Sequence, residues 1–288
     1  MAETQDIRSF GAVFDTIAVE YDRHRPAYPD VLVDHACGAG GLVAGDRVLE
    51  VGCGTGQLTR SLLARGLHVT AVEPGGNLIE LAARGRPDPG TVRFLQDRFE
   101  DASPGLGFAA VCSAAAFHWI DPDVSWGKVA ASLEPGGLLA LLQYCGVRDE
   151  RTATDDDALL AVLAQAAPET AAGWPELRDL DAFLSGAEDR RENVSEVWTW
   201  VGSKALARDY AADLFDEVEI AVSPGLLERS AEEINALLRT TSPYHRMSAA
   251  EQHALERGNA EIEARLGRPL RSSMMAVLVT ARRSNRGL

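Results

Sequence analysis

The sequence lacks the features that mark several large protein classes. No apolar run approaches the roughly 18 residues needed to cross a bilayer, and no charged start followed by an apolar stretch marks a signal peptide. We therefore expect neither membrane insertion nor secretion, and a cytoplasmic location. The four cysteines (Cys37, Cys53, Cys112 and Cys145) show no C-x-x-C spacing, which favours reduced thiols and predicts no metal site.

Positive charge and several catalytic motifs are also scarce. The 288 residues include 28 basic and 43 acidic side chains, a net charge of −15 that disfavours nucleic-acid partners. Neither H-E-x-x-H, nor a P-loop lysine, nor G-x-S-x-G is present, which removes most hydrolases and NTPases. The length suits a doubly wound α/β core with an added cap.

The stretch from Arg47 to Pro74 predicts a strand, a glycine turn, a helix and a second strand. Arg47 to Val51 is aliphatic, as in a buried parallel strand, and Gln57 to Arg65 has helical spacing. The glycines between them allow positive φ and let a ligand lie on the backbone. Glu73 ends the second strand, where a carboxylate can accept hydrogen bonds from both hydroxyls of a ribose.

The glycine spacing separates this turn from a dinucleotide site. A dinucleotide fingerprint reads G-x-G-x-x-G, whereas here the third glycine comes one residue early, in G-C-G-T-G. Glu50 precedes the turn and favours a ligand with positive charge, such as a sulfonium or an ammonium. EVGCGTGQ followed by VEP resembles the first two motifs of the class I S-adenosylmethionine-dependent methyltransferases. The alternative is a βαβ unit that binds no nucleotide.

Residues Gly11 to Val33 predict a short amphipathic helix that ends near Pro26. The helix either covers an edge of the sheet or acts as a lid, in which Tyr21, Arg23 and Arg25 close over a carboxylate. The resemblance supports the lid, because many small-molecule methyltransferases open with a similar F…YD…R…YP segment. It implies that the Tyr and Arg approach the methionine end of the cofactor.

Two further strand ends carry candidate ligand contacts. Thr91 to Gln96 predicts the third strand, and Asp97 after it either contacts adenine or caps a helix. Phe108 to Ser113 predicts the fourth strand, and the small residues after it leave room for a ligand at the carboxyl edge of the sheet. SAAAFHWIDP resembles the fourth motif of a small-molecule, methyltransferase type 11-like subgroup.

The remaining chain predicts three more strands and a cap. Strands are expected over Leu138 to Tyr144, Phe215 to Val222 and Met275 to Ala281, with Val197 to Val201 as a short aromatic strand or turn. The predicted fold is α/β, a seven-stranded doubly wound Rossmann-like sheet with an N-terminal lid helix and a helical cap insertion. Residues 1–40 are assigned to the lid, 41–145 and 205–288 to the core, and 146–204 to the cap.

The resemblance implies S-adenosyl-L-methionine as cofactor, S-adenosyl-L-homocysteine as product, and a set of site residues. The predicted cofactor-binding residues are Tyr21, Arg25, Glu50, Gly52, Cys53, Gly54, Thr55, Gly56, Glu73, Pro74, Asp97, Arg98, Phe99, Ala114 and Phe117. The predicted substrate-binding residues are Tyr28, His118, Trp119, Trp174, Trp198 and Trp200, although the tryptophans alternatively pack the cap onto the core.

The predicted function is methyl transfer to an oxygen, nitrogen or carbon atom of a small molecule, in keeping with bacterial natural product biosynthesis. His118, which titrates near neutrality when unperturbed, is the first candidate for a base, followed by His245 and Tyr244. His118 alternatively only hydrogen-bonds the backbone or the cofactor. An RNA or protein methyltransferase of the same fold and a non-catalytic, cofactor-binding regulator remain the alternatives. Oligomeric state is left open.

Overall fold

A computed structural model describes residues 13–84, 90–202, 211 and 213–285. Its centre is a seven-stranded sheet with the order β3-β2-β1-β4-β5-β7-β6. Strands β1 to β5 are mutually parallel neighbours, and β7 is antiparallel to both β5 and β6. The predicted seven-stranded sheet is therefore confirmed, and its last two strands along the chain form an antiparallel pair. The strands are Arg47–Val51 (β1), His68–Glu73 (β2), Thr91–Gln96 (β3), Phe108–Ala114 (β4), Leu133–Gly146 (β5), Phe215–Arg229 (β6) and Leu270–Arg283 (β7).

Helices lie along the chain between and before these strands. Those preceding or connecting the first five strands are Ala18–His24 (α1), Asp30–Gly40 (α2), Gln57–Ala64 (α3), Gly76–Ala82 (α4) and Pro122–Ser132 (α5). Those between β5 and β6 are Ala153–Ala166 (α6), Pro168–Ala172 (α7), Leu180–Glu188 (α8) and Val194–Val201 (α9). Those between β6 and β7 are Ala231–Leu238 (α10), Ser242–Arg246 (α11) and Ala249–Leu266 (α12).

The central strands are buried on both faces, which is why they are apolar throughout. Successive residues of β1 point to opposite faces, so that Val48 packs in one hydrophobic cluster and Leu49 in another. The carboxyl ends of the parallel strands meet at one edge of the sheet. That edge is where a ligand binds in an open α/β sheet.

The structure corrects the prediction for Val197 to Val201. These residues belong to α9. Asn193 is the N-cap of this helix, and its side chain accepts a hydrogen bond from the N–H of Ser195. The apolar residues Val194, Val197, Trp198 and Val201 are buried at helical spacing, and the short aromatic run concealed that period.

Three strands, β5, β6 and β7, are longer than predicted. The ladder between β6 and β7 runs from the pair of Phe215 and Arg283 to the pair of Arg229 and Leu270. The division into lid, core and cap stays a prediction. Its boundary at residues 204–205 and the first twelve lid residues, among them Gly11 and Ala12 of the predicted amphipathic helix, lie outside the described residues.

Candidate functional site

A cavity of about 1330 Å³ opens at the carboxyl edge of the sheet. At one end its wall is formed by the turn after β1 and by the end of β2, including Gly52, Gly54 and Glu73. At the other end an apolar wall is formed by Leu160 and Leu163 of α6 and by Trp174, which follows α7. The volume exceeds the ~300–1,000 Å³ of a typical ligand pocket. A cofactor and a second small molecule can therefore share it.

The glycine turn is held against the end of β2 by backbone hydrogen bonds. The N–H of Gly52 donates to the carbonyl of Val72 at 2.8 Å, and the N–H of Gly54 donates to Oε2 of Glu73 at 3.0 Å. Gly54 has a φ of +54°, and a Cβ there would project toward the ring of Tyr21, whose nearest atom lies 4.0 Å away. Glycine at this position keeps the space between the turn and Tyr21 open.

Two buried carboxyl groups flank this turn. Glu73 also accepts a hydrogen bond from the N–H of Gly75 at 3.0 Å, so each oxygen keeps acceptor capacity for a ligand. Glu50 accepts a hydrogen bond from the hydroxyl of Thr59 at 2.6 Å. Burial raises the pKa of Glu50 to about 8 and also raises the pKa of Glu73, although the backbone N–H groups oppose the shift at Glu73.

The N-terminal segment crosses the open side of the cavity. The ring of Phe14 makes edge contacts with Tyr21 and with Trp119, at centroid distances of 5.6 and 5.7 Å. Asp15 accepts hydrogen bonds from the N–H groups of Asn77 and Leu78 and so caps α4 from a distant part of the chain. Arg25 donates to the carbonyl of Thr240 at 2.7 Å, which ties the segment to the end of α10.

Unpartnered polar atoms are concentrated on residues of the cavity wall. Buried side-chain atoms without a hydrogen-bond partner among the described residues include Arg25 Nε, Gln57 Nε2, His118 Nδ1, Gln143 Oε1 and Asn259 Oδ1, all from residues that line the cavity. Buried polar groups are normally hydrogen-bonded, and leaving one unmade costs about 1–3 kcal/mol. This distribution fits a site whose polar groups are completed by a bound ligand.

The comparisons with known proteins agree with this geometry. Residues 48–137 match a family model described as a methyltransferase domain. Uncharacterized methyltransferases of Mycobacterium bovis and Mycobacterium tuberculosis are 37% identical over 144 residues, which is 50% of this chain and 56% of theirs. An uncharacterized methyltransferase of Geobacillus kaustophilus is 31% identical over 141 residues, 46% of this chain and 65% of that protein. The aligned stretch thus spans little more than half the length of the mycobacterial relatives.

Solved structures of low identity share the fold. A protein of Anaeromyxobacter dehalogenans assigned as a type II methyltransferase superposes with a TM-score of 0.58 at 22% identity, covering 90% of this chain and 97% of the other. An S-adenosylmethionine-dependent methyltransferase of Thiobacillus denitrificans, in complex with S-adenosyl-L-homocysteine, gives 0.50 at 16% identity, covering 93% and 98%.

Residues 48–137 carry a methyltransferase domain, and the fold of the chain is the Rossmann-like fold of the class I S-adenosylmethionine-dependent methyltransferases. S-adenosylmethionine is the cofactor of this class, and its adenosine and methionine parts can be compared with the cavity wall. The turn after β1, Glu73 and the segment around Tyr21 enclose one end of the cavity, and these are the parts that the sequence assigned to cofactor binding.

The methyltransferase domain brings most predicted cofactor residues to one wall, but not all. Asp97 is exposed, does not line the cavity, and accepts a hydrogen bond from the adjacent N–H of Arg98 instead of capping a helix. Thr55 and Gly56 belong to the turn but do not line the cavity, and Phe117 packs on Trp126 in the core. The predicted cofactor residues on the wall are Tyr21, Arg25, Glu50, Gly52, Cys53, Gly54, Glu73, Pro74, Arg98, Phe99 and Ala114.

Of the residues predicted to bind the substrate, some line the cavity and others do not. Tyr28, His118, Trp119 and Trp174 line the cavity. Trp198 is buried in the core, and Trp200 is held between the guanidinium groups of Arg178 and Arg190 while its Nε1 donates to the carbonyl of Phe183. The alternative in which tryptophans pack the cap onto the core therefore describes Trp198 and Trp200.

The three candidate bases are not equivalent. Tyr244 donates its hydroxyl hydrogen to Glu256 at 2.6 Å, and a nitrogen of His245 lies 2.7 Å from the carbonyl of Arg239. Neither ring is on the cavity wall, so the structure gives no support to a catalytic role for them. His118 does line it, but burial, with the positive charge of Arg25 adding to the effect, lowers its pKa to about 4. This corrects the expectation that His118 titrates near neutrality.

Several residues of the wall carry no local signal in the sequence. Phe14, Asp15, Gln57, Gln143 and Arg229 line the cavity and belong to four separate stretches of the chain. Gln57 alone had an indication, since it directly follows the last glycine of the turn.

The described residues show neither a metal-binding cluster nor a membrane-spanning helix. Among the described residues no group of three or more histidine, cysteine, aspartate or glutamate side chains is placed to hold a metal ion. Within the same ranges no helix has the length and apolar character that a membrane span requires.

Proposed function

We propose that this chain transfers the methyl group of S-adenosylmethionine to a small-molecule acceptor. The observation that carries the proposal is the continuity of the cavity, which joins the glycine turn and Glu73 to the apolar wall formed by Leu160, Leu163 and Trp174. One end suits the cofactor, and the other offers an enclosed apolar surface to an acceptor.

Each part of the cofactor has a fitting group on the wall. The free acceptor capacity of Glu73 suits the two ribose hydroxyls, and the open space above Gly54 suits close contact with the backbone. Arg25, with its unpartnered Nε, suits the carboxylate of the methionine part. Glu50 also lies on the cavity wall, where a positive charge on a bound ligand would favour the ionised form of its carboxyl group and so oppose the rise in its pKa.

The cofactor supplies an electrophilic methyl group on a sulfonium, and the chain supplies position. Holding donor and acceptor at near-attack distance can contribute ~7–11 kcal/mol to lowering the barrier. Phe14 and Trp119 both line the cavity and contact each other edge to face, which adds apolar surface to its wall. His118 and Gln143 present unpartnered polar atoms that can orient a protic acceptor.

We also propose a cytoplasmic location and a role in bacterial natural product biosynthesis for this reaction. The four cysteines are free thiols, which agrees with a reducing compartment such as a bacterial cytoplasm. The relatives are bacterial proteins, which agrees with a role in bacterial natural product biosynthesis. The matched family model ends at residue 137, before the residues of the apolar wall. The methyl acceptors of related proteins are therefore a poor guide to the acceptor of this chain.

Thermal unfolding with ligands tests the first half of this proposal. A ligand at about 100 times its Kd stabilises by ~2.7 kcal/mol, and each kcal/mol raises Tm by roughly 2–4 °C at this size. S-adenosyl-L-homocysteine should raise Tm by several degrees and NAD should not. The reverse result would favour a dehydrogenase over a methyltransferase.

Turnover tests the second half. The protein and S-adenosylmethionine are incubated with panels of phenols, amines and carboxylic acids, and formation of S-adenosylhomocysteine is measured. Cofactor binding without turnover of any panel member would favour the non-catalytic, regulatory alternative.

A further inference from the structure

Arg229 is a charged residue of the cavity wall that no part of the proposed cofactor site uses. It is the last residue of β6 and is half-buried. Among the described residues its guanidinium group makes no hydrogen bond and no ion pair within 4 Å. The carboxylate whose charge acts on it, Glu233, is held in a capping box by Ser230. A half-buried cation without an anionic partner is unfavourable for the empty protein.

The acids on the same side of the cavity do not neutralise Arg229. Asp156 accepts the hydroxyl hydrogen of Thr152 at 2.6 Å, while Glu169 and Glu176 are exposed at the rim. None of these three carboxyl groups is among the charges that influence the pKa of Arg229, which burial lowers. The guanidinium group therefore lines the cavity without an ion-pair partner within 4 Å in the described part of the chain.

The sheet topology places Arg229 away from the cofactor end. Strand β7 is antiparallel to both β5 and β6, so β6 runs in the same direction as β5. The last residue of β6 therefore lies on the side of the sheet that carries the glycine turn. Four strand spacings separate β6 from β1, which is roughly 19 Å at ~4.8 Å each. Burial raises the pKa of the Tyr144 phenol, and Arg229 lies close enough for its charge to oppose that shift. The ring of Tyr144 stacks on Tyr28 at a centroid distance of 5.3 Å.

We propose that Arg229 binds an anionic group of the acceptor, so that the acceptor is an acid with an apolar body. The proposal rests on the methyl-transfer function above and specifies its substrate class. The carboxylate would pair with the fork of Arg229 beside the Tyr28 and Tyr144 rings, and the apolar body would lie against Leu160, Leu163 and Trp174. The overall negative charge of the chain does not oppose this, because recognition depends on the local wall.

Matched acids and amides test the proposal on protein saturated with S-adenosylhomocysteine, so that no methyl transfer intervenes. The probes are 3-phenylpropanoate with 3-phenylpropanamide, octanoate with octanamide, and 4-hydroxybenzoate with 4-hydroxybenzamide, titrated by calorimetry. We expect at least one acid to bind ~10- to 100-fold more tightly than its amide. Equal affinity within every pair, or no binding by any probe up to its solubility, would overturn the proposal.

Two substitutions assign the preference to one residue. Arg229→Met should reduce the acid-to-amide ratio to about 2-fold or less, and Arg229→Lys should retain part of it because the charge remains without the fork. Arg271→Met is the matched control, since Arg271 lies on the neighbouring strand, is paired with Glu228 at 2.7 Å and does not line the cavity. A ratio that survives in Arg229→Met would exclude Arg229 as the anion-binding group.

Two readouts separate this proposal from its premises. Arg229→Met should raise or preserve the Tm of the empty protein, because the arginine makes no hydrogen bond to lose; a large fall would indicate a structural role instead. Binding of S-adenosylhomocysteine is measured on the same samples. If the protein prefers acids to amides but does not bind S-adenosylhomocysteine, the proposed methyl transfer is wrong and the anion site at Arg229 is supported. If it binds and the preference is absent, the anion site fails alone.

Discussion

The backbone N–H of Gly54 donates a hydrogen bond to Oε2 of Glu73 over 3.0 Å, joining the turn after β1 to the end of β2. Each group thereby fixes the other: the carboxylate cannot rotate freely, and the turn cannot open without losing a charge-assisted bond. The two elements proposed to hold the cofactor are preorganised as one unit before any ligand arrives.

Replacing Glu73 should weaken cofactor binding. Glu73→Ala removes the acceptors proposed for the ribose hydroxyls and the partner of Gly54, so we expect the Kd for S-adenosylhomocysteine to rise ~5- to 150-fold, or about 1–3 kcal/mol. Calorimetric titration measures it. Glu80→Ala, which removes an exposed carboxylate paired with Arg84, is the control. An unchanged Kd in Glu73→Ala would place the ribose elsewhere.

Filling the space above the turn should block the cofactor sterically. Gly54→Ala adds a Cβ that projects toward Tyr21, and it also places alanine at a φ of +54°. Gly107→Ala is a matched control for the backbone strain, because Gly107 has a φ of +72° with nothing within 4 Å of its Cβ. Both should lose about 1–2 kcal/mol of stability. We expect only Gly54→Ala to lose affinity for S-adenosylhomocysteine, and equal binding by the two variants would argue against a backbone cradle.

Arg25 should contribute to binding only through the amino-acid part of the cofactor. Arg25→Met is expected to weaken binding of S-adenosylhomocysteine by ~10-fold or more. Binding of 5′-methylthioadenosine, which lacks the carboxylate, should hardly change. Arg23→Met, on the exposed side of the same helix, is the control. Equal losses for both ligands would mean that Arg25 acts by holding the segment in place through Thr240.

Burial of Glu50 should make the empty protein less stable as pH rises. Its pKa is about 8 when folded and near the ordinary 4.5 when unfolded. Between these values the folded state holds a proton that the unfolded state has released, so unfolding free energy falls with rising pH, by up to ~1.4 kcal/mol per unit.

The Glu50→Gln variant isolates this contribution, because glutamine stays neutral and can still accept from Thr59. Relative to the original chain it should be more stable at pH 8 than at pH 5, as measured by urea unfolding at both values. Glu80→Gln should show no such difference. Parallel pH dependence of Glu50→Gln and the original chain would mean that Glu50 is already ionised.

Local pattern predicted the sheet and the turn well, because those features are encoded within short stretches. The aliphatic run of β1 and the glycines after it can be recognised without knowledge of the distant chain. The wall residues Asp15 and Arg229 could not be predicted, since their positions depend on contacts with α4 and on the far end of the sheet. Asp97 and Trp200 had suitable chemistry at suitable sequence positions, but neither lines the cavity, and each side chain is engaged by a backbone group of the protein.

His118 should support turnover without acting as a titrating base. With a pKa of about 4 its ring is neutral across pH 5.5–8, and it can accept or donate one hydrogen bond but cannot hold a transferred proton strongly. We therefore expect His118→Gln, which preserves hydrogen-bonding capacity, to keep kcat/KM within about 10-fold. The pH profile of the original chain should show no ionisation between pH 6 and 7 that this substitution abolishes. His245→Gln, away from the cavity wall, serves as the control. A loss of ~10²- to 10⁴-fold, together with an ionisation near pH 6.5 that disappears in His118→Gln, would instead establish His118 as the general base.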